Sequence, residues 1–266
     1  MKKLAYVLML TGMVSASGVV MAAETSPHTF TSNIGLVSDY YFRGLTQSWH
    51  KPAIQGGADY THSSGLYAGV WGSSVSGNEY PNGSSLELDY YGGYNGSIGD
   101  VGWTVGGYGY YYPGAKTNTT PSEKYNTFEL NAGASYKWVS VKYSHTLTDW
   151  FGANTNTGFD GGTKGSGYLE ANVSVPLMDD LSLGLHVGHT NVAGKLAAPL
   201  ASGATDPDYT DYKIGVTKTF NGGWNVGLAY AKSNNGKYWD NTASAVSADT
   251  EDLGAGRFIL SAGRSF

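Results

Sequence analysis

The feature that most constrains this chain is a period of two in its hydrophobicity. In the segment LELDYY, Leu86, Leu88 and Tyr90 are apolar. The carboxylates of Glu87 and Asp89 lie between them. Because successive side chains of a β-strand point to opposite faces, this pattern predicts a strand with one apolar and one polar face. Similar segments predict about twelve strands of roughly ten residues each. They lie near residues 29–42, 52–62, 65–75, 85–95, 101–112, 125–136, 139–148, 167–176, 181–190, 210–220, 223–232 and 256–266.

Alternating faces fit a soluble β-sandwich, whose apolar faces form a core, or a membrane barrel, whose apolar face meets lipid. The lengths of the connections distinguish these two folds. Short connections alternate with longer ones along the whole chain. The short ones are 62–65, 95–100, 137–138, 177–180 and 221–223, and the longer ones are 43–51, 76–84, 113–124, 149–166, 191–209 and 233–255. Strict alternation is typical of up-and-down membrane barrels, whereas a Greek-key sandwich has no reason to show it.

The sequence therefore predicts an all-β fold, a transmembrane antiparallel up-and-down β-barrel with short periplasmic turns and long extracellular loops. Composition agrees, since 39 of the 266 residues are Gly and only 14% are charged. Aromatic residues gather near predicted strand ends, where amphipathic rings would sit at the membrane interfaces. They include residues 40–42, Tyr108, residues 110–112, Trp138, Phe220 and Trp224. The net charge of −5 argues against a nucleic-acid binder, and the absence of Cys excludes disulfides and thiolate metal sites.

Residues 1–23 are a predicted secretory signal peptide. Lys2 and Lys3 precede an apolar stretch that ends at the small residues Ala22 and Ala23. Polar residues and glycines interrupt the stretch, so an uncleaved membrane anchor is the less favoured interpretation. Residues 24–266 would then form the mature barrel domain in the outer membrane of a Gram-negative bacterium. No run of 18 apolar residues in this part predicts a transmembrane helix.

Four segments resemble a known protein family. They are NIGLVSDYYFRGLTQS at 33–48, PAIQGGADYTHSSGLYAGVWGSS at 52–74, LELDYYGGYNG at 86–96 and YYYPG at 110–114. They are similar to the TorF-type porins, a family of proteobacterial outer-membrane proteins also called Gcw_chp. The resemblance is close over the N-terminal third and lies mainly in strand rhythm beyond it. It implies an outer-membrane barrel with porin-like activity and no defined solute.

The last predicted strand ends on Phe266, and a final strand with a terminal aromatic residue resembles the assembly signal of outer-membrane proteins. We therefore expect the barrel-assembly machinery as a partner, with outer-membrane lipid and lipopolysaccharide around the barrel. Small polar solutes or ions are the expected cargo, and nucleic acid is not an expected partner. The pattern makes no prediction of oligomeric state.

Charged residues on the polar face are the candidate pore-lining residues. Seven are acidic and four are basic, and His186 shares their face. The predicted set is Asp39, Arg43, Asp59, Glu87, Asp89, Glu129, Lys142, Glu170, His186, Asp211, Lys213 and Arg257. An excess of carboxylates favours cations over anions. The alternative is that opposite charges pair across a narrow interior and close it.

These observations predict an outer-membrane porin-like channel for passive diffusion of small polar solutes or ions, with a preference for cations. A non-conducting structural or surface-interaction barrel is the alternative, and a barrel hydrolase is the third. The nearest catalytic candidate is Ser144 with His145, but adjacent strand residues face opposite sides and cannot act together. We therefore expect no enzymatic activity, no cofactor and no metal site.

Overall fold

The structure, a computed structural model, describes residues 26–266 and is a closed barrel of twelve antiparallel strands. The strands are β1 (His28–Val37), β2 (Ala53–His62), β3 (Leu66–Ser74), β4 (Leu86–Ile98), β5 (Val101–Tyr111), β6 (Thr127–Tyr136), β7 (Val139–Thr146), β8 (Gly167–Met178), β9 (Leu181–Asn191), β10 (Tyr209–Thr219), β11 (Trp224–Ser233) and β12 (Arg257–Ser265). The predicted fold class and strand number are confirmed. The predicted signal peptide, residues 1–23, lies outside the described residues, and its cleavage stays a prediction.

Each strand pairs with the next one along the chain, and the barrel closes where β1 pairs with β12. In that closing pair, Asn33 lies opposite Ser265 and Val37 lies opposite Ser261. Closure leaves no sheet edge with unpaired backbone groups, which is the condition for a sheet in an apolar medium. The up-and-down order is the one that the alternating connection lengths predict.

The two ends of the barrel differ in their connections. One end, the turn end, carries the short connections, the start of β1 and the end of β12. The other, the loop end, carries the six longer connections. At the turn end, Gly99 and Gly222 have positive φ, as tight turns require. Asn95 and Gly96 were predicted to lie in the second short turn. They instead pair with Thr104 and Trp103 inside the sheet, because β4 runs on to Ile98.

The outward face of the barrel is apolar. Leu130, in the middle of β6, is 48% exposed, because the outward side chains have no second layer to pack against. Other exposed side chains on this face include Ile34, Leu36, Leu88, Tyr90, Val141, Leu169, Ile214, Val216 and Leu260. A large exposed apolar band is a liability in water and a requirement in lipid.

The inward side chains become more buried from the turn end to the loop end. On β1, Thr29 and Thr31 are exposed, Asn33 is half-buried and Val37 is buried. On β4, Ser97 near the turn end is exposed, and the inward residues near the loop end are buried. The lumen is therefore accessible at the turn end and filled at the loop end.

The filling comes from residues 38–52, which we call the lumen hairpin. Within it, Tyr41–Phe42 pairs with Leu45–Thr46 as a two-stranded ribbon separate from the barrel sheet. The sequence pattern predicted a first strand that continues to residue 42 and a loop at 43–51 that projects outward. Both predictions are wrong, because the strand ends at Val37 and the chain then turns into the barrel, where most of residues 38–52 are buried.

The predicted interfacial aromatic residues divide into two groups. Trp138, Phe220 and Trp224 near the turn end and Tyr111 near the loop end are exposed, as predicted. Tyr40, Tyr108, Tyr110 and Tyr112 are instead buried inside the barrel at the loop end, where Tyr40, Phe42 and Tyr110 belong to one aromatic cluster. Their rings pack against each other inside the barrel, so these amphipathic side chains do not lie at the membrane interface.

Short elements complete the connections. They are the 3₁₀ turns Trp150–Gly152, Thr155–Thr157 and Asn221–Gly223, the helical turn Gly236–Trp239, and the paired strands Thr242–Ala243 and Thr250–Glu251. Within residues 26–266, no helix has the length and hydropathy of a membrane span.

Candidate functional site in the barrel lumen

The tip of the lumen hairpin packs against the inner wall of the barrel. Arg43 and Gly44 form the turn, with φ of 47° and 75°. A Cβ atom at Gly44 would overlap that of Asp211 on β10 and lie 3.2 Å from that of Ser233 on β11. Glycine therefore permits both the turn and the close approach. The hairpin starts between β1 and β2, and its tip touches β10 and β11, which lie three and two strands from β1 around the barrel. From there the side chain of Arg43 extends to Glu129 on β6, so the hairpin crosses the lumen.

Arg43 fixes this tip through a buried ion pair. Its Nη1 and Nη2 atoms donate to Oε1 and Oε2 of Glu129 over 2.8 and 2.7 Å. This bidentate arrangement is the strong form of an arginine–carboxylate pair. The guanidinium also lies 4.2 Å from the ring centre of Tyr168 and 4.8 Å from that of Phe42. The pair and the two rings hold residues from β6, β8 and the hairpin together.

A second network fixes the base of the hairpin around Asp39. The Oδ1 atom of Asp39 accepts hydrogen bonds from Thr46 Oγ1 over 2.6 Å and from Ser48 Oγ over 3.1 Å. Its Oδ2 atom lies 2.7 Å from Nδ1 of His50. Burial alone would lower the pKa of His50, but the hydrogen bond and charge of Asp39 outweigh it and raise that pKa above its usual value. The protonated imidazole is thus the form that fastens the base.

A third polar group lies on β7 to β10. Lys142 Nζ is 2.8 Å from Oε1 of Glu170, and the Asn172 amide donates to Oε2 over 3.1 Å. The ring of His186 lies between Asn172 Oδ1, at 2.7 Å, and Asp211 Oδ1, at 2.9 Å. Both ring nitrogens are therefore occupied by wall residues. Neither is free to serve as a base for a nucleophile.

Three luminal carboxylates have no ion pair among the described residues. Glu87 is 1% exposed, and neither of its oxygens has a hydrogen-bond donor in the described part of the chain. Asp89 accepts from the hydroxyl of Tyr108 over 2.8 Å, and Asp59 accepts from that of Tyr91 over 2.6 Å. Burial at the loop end also raises the pKa of Glu79, in the connection before β4, well above its usual value. Acid groups thus concentrate where the hairpin covers the wall.

A cavity of 280 Å³ lies inside the barrel beside the hairpin. Trp71, Tyr91 and Tyr108 line one side of it. Glycine and alanine residues of β10 to β12 line another side, together with the ammonium-bearing side chain of Lys213. The cavity therefore combines an aromatic wall, a wall of small residues and charged groups.

The structure places every predicted pore-lining residue on the inward side. Ten are on barrel strands, whereas Asp39 and Arg43 belong to the lumen hairpin. Strand periodicity was therefore the wrong reason for assigning these two to the interior. Eight of the twelve are buried, His186 and Asp59 are half-buried, and Lys213 and Arg257 are exposed. Their role in lining a pore stays a prediction.

Ser144 is buried and His145 is exposed, so the adjacent pair faces opposite sides of the barrel wall, as expected.

Sequence reasoning missed the buried tyrosine cluster and the hairpin that packs on it. The signal that could have revealed them is the unusual density of tyrosine on the polar face, at Tyr91, Tyr108 and Tyr110, where water-filled pores carry smaller polar groups.

A family match extends over almost the whole chain. A model of the family described as "Bacterial protein of unknown function (Gcw_chp)" matches residues 21–266. The chain belongs to the Gcw_chp family. This membership confirms the family that the sequence segments indicated, and the TorF-type label stays an expectation. No curated protein matches the chain.

Solved structures with the same fold include two porins. The KdgM porin has 7% sequence identity and a TM-score of 0.50, with 89% of this chain and 99% of that chain covered. The NanC porin has 10% identity and a TM-score of 0.50, with 90% of this chain and 99% of that chain covered. At such low identity, the similarity of this Gcw_chp chain to these proteins establishes the barrel fold alone.

Proposed function

We propose that the chain is an outer-membrane, porin-like channel through which small polar solutes or ions diffuse passively. The observation that carries the proposal is a closed barrel with an apolar outer face and a polar interior that contains a cavity. Its fold is shared with the two porins. Residues 1–23 would be removed on export, and residues 24–266 would form the barrel, with the turn end in the periplasm and the loop end outside.

The lumen hairpin would set the conductance of this channel. It crosses the loop end, so a solute that enters from the turn end meets the Arg43–Glu129 pair before it leaves. A twelve-stranded barrel is already narrower than sixteen-stranded porins. Conduction would therefore be small with the hairpin in place and larger when it withdraws.

Cation preference in this channel would depend on the position of the lumen hairpin. Glu129 is paired with Arg43, Glu170 with Lys142, and Asp211 with the ring of His186. Other carboxylates, including Glu87 and Asp89, lie in the wall beneath the hairpin. They would attract cations only after the hairpin moves and water reaches them.

A non-conducting barrel is the second candidate. The filled loop end favours it, because a hairpin with two buried anchoring networks could be a permanent part of the fold. A barrel hydrolase has no comparable support, since both ring nitrogens of His186 are occupied. Whether the barrel conducts or not, we propose that outer-membrane lipid and lipopolysaccharide surround it. We also propose that the barrel-assembly machinery recognises Phe266.

Planar-bilayer conductance of the purified full-length barrel tests the proposal. We expect small single-channel currents from the wild type and larger ones from Arg43→Met, which removes the charge that anchors the tip. The matched control is Lys218→Gln, which removes an exposed ion pair with Asp180 at the turn end. It should leave the currents unchanged. Absence of channels from both the wild type and Arg43→Met would favour the non-conducting barrel.

The cation preference has its own measurement. Reversal potentials in a salt gradient should show stronger cation preference for Arg43→Met than for the wild type, and the difference should shrink in concentrated salt. Adding Glu87→Gln and Asp89→Asn to Arg43→Met should remove the difference. An unchanged potential in that triple variant would show that these carboxylates do not set selectivity.

A further inference from the structure

Burial separates the charged residues of the lumen into those that meet water and those that do not. Among the four basic residues on the inward side, Arg43 and Lys142 are buried in ion pairs, whereas Lys213 and Arg257 are exposed. Six of the seven acidic residues are buried, and only Asp59 is half-buried. The accessible luminal charge in this conformation is therefore mainly basic, although the total luminal charge is acidic.

Lys213 is the accessible cation that lines the cavity. It lies in the middle of β10 and faces inward, so its exposed surface must face the lumen rather than lipid. In the part of the chain that the structure describes, it makes no ion pair within 4.0 Å. The nearby carboxylate of Asp211 is instead held by His186 Nε2 at 2.9 Å and by the Tyr168 hydroxyl at 3.1 Å. The ammonium group is thus left without a partner beside an open space.

Small residues keep that space open. On one side of Lys213, the register partner on β11 is Ala231, and the following inward residue on β10 is Gly215. Ala229 and Gly227 continue the same wall toward the turn end. None of these side chains reaches across the cavity to the ammonium group.

The facing wall carries aromatic rings. Tyr91 is on β4, six strands from β10 in either direction around the barrel. Its ring stacks on that of Tyr108 with centroids 5.1 Å apart and planes 4° apart. The two hydroxyls donate to Asp59 and Asp89, which fixes the rings in the wall. Together with Trp71 they offer an ordered aromatic surface opposite an unpaired ammonium group.

We propose that Lys213 and this aromatic wall form a binding site for a small organic carboxylate that carries a ring. The ammonium group would donate charge-assisted hydrogen bonds to the carboxylate, and the ring would pack against Trp71 and Tyr91. A volume of 280 Å³ lies just below the roughly 300–1,000 Å³ of pockets for drug-sized ligands, so it suits a single small ring. The proposal rests on the proposed channel function, because the ligand would be a solute that enters from the turn end.

Calorimetric titration of the full-length barrel in a zwitterionic detergent tests the site without requiring conduction. The probe is benzoate, compared with benzyl alcohol, which keeps the ring and lacks the charge, and with acetate, which keeps the charge and lacks the ring. Benzoate should bind more tightly than either. Equal binding of benzyl alcohol would overturn the role of Lys213, and equal binding of acetate would overturn the role of the rings.

Three variants locate the effect. Lys213→Gln should weaken benzoate binding about tenfold to a hundredfold, the usual value of a hydrogen bond to a charged group. Lys213→Arg should restore most of the affinity. Arg257→Gln is the matched control, because Arg257 is also basic and exposed but does not line the cavity. An equal loss in Arg257→Gln would show a general charge effect and overturn the site.

The conductance experiment separates this inference from the proposed function. Channels without benzoate binding would overturn the site and leave the channel function intact. Benzoate binding by a barrel that never conducts would support the site and overturn the channel. Block of the wild-type current by benzoate, lost in Lys213→Gln, would support both.

Discussion

The ion pair between Arg43 and Glu129 should couple the lumen hairpin to the barrel wall strongly enough to be measured. The perturbation is a double-mutant cycle of Arg43→Met, Glu129→Gln and the combined variant. Met retains the apolar stem of the arginine without its charge, and Gln retains the shape of the glutamate. Both side chains are buried and they share two hydrogen bonds of 2.7 and 2.8 Å.

The expected loss of unfolding free energy depends on the charged group that each single substitution leaves buried without a partner. Arg43→Met leaves the carboxylate of Glu129 buried without a cation, and such a loss costs about 3–5 kcal/mol of unfolding free energy. It also removes the contacts of the guanidinium with the Tyr168 and Phe42 rings, worth about 0.5–2 kcal/mol in all. Withdrawal of the hairpin would admit water to Glu129 and limit the total, so we expect about 3 kcal/mol.

The double variant should lose much less than the sum of the single variants, because it leaves no unpaired buried charge. A coupling free energy of about 2–3 kcal/mol is therefore expected, near the upper end of values for contacting residues. Guanidinium unfolding of the barrel in detergent, followed by tryptophan fluorescence, measures it.

A second cycle on the exposed pair of Lys218 and Asp180 serves as the control. These side chains are 46% and 49% exposed, so their cycle should show no measurable coupling. Coupling below about 0.5 kcal/mol between Arg43 and Glu129, the usual error of additivity, would refute the anchoring role of the pair.

Four further predictions address the hairpin and the barrel. Gly44→Ala should loosen the hairpin and raise conductance, because the added Cβ overlaps Asp211 on the barrel wall; unchanged single-channel currents would contradict it. Since the pKa of His50 is raised on folding, its stabilising effect is complete below about pH 6.5 and lost as pH rises through the raised pKa. Conductance should therefore increase with pH above 6.5 in the wild type, and His50→Gln should flatten that profile. Leu130→Arg should cost about 2–4 kcal/mol in lipid vesicles if the residue meets the bilayer midplane, measured by unfolding. Deletion of Phe266 should lower the heat-modifiable folded fraction in outer membranes, and unchanged folding would count against an assembly signal.

The barrel itself could be predicted from the sequence because two independent patterns agree. Alternation fixes which side chains share a face, as in Leu88 and Tyr90 outward and Glu87 and Asp89 inward. Connection length fixes which strands are neighbours, since a two- or three-residue turn joins only adjacent antiparallel strands. Neither pattern depends on long-range contacts, so both survive in a single sequence.

The lumen hairpin could not be predicted in this way, because its aromatic segment resembles the end of a strand. Tyr40, Tyr41 and Phe42 have the aromatic character of an interfacial girdle. What places them inside is the ion pair of Arg43 with Glu129, 86 residues away. The Arg43–Gly44 turn was the one local sign, because glycine permits the positive φ and the close approach that the tip requires.

The same limitation applies to the charge count on the inward face, from which the cation preference was predicted. Periodicity assigns a residue to a face, but it does not say whether the residue meets water or a partner on another strand. Glu170 and Lys213 share the inward face, yet Glu170 is neutralised by Lys142 and Lys213 projects into the cavity. A paired charge has a weak field at a distance, whereas an unpaired charge keeps its field. One accessible ammonium group would therefore influence a solute in the proposed channel more than several paired carboxylates would. In the channel that we propose, ligand preference would thus depend on which charges the lumen hairpin leaves uncovered.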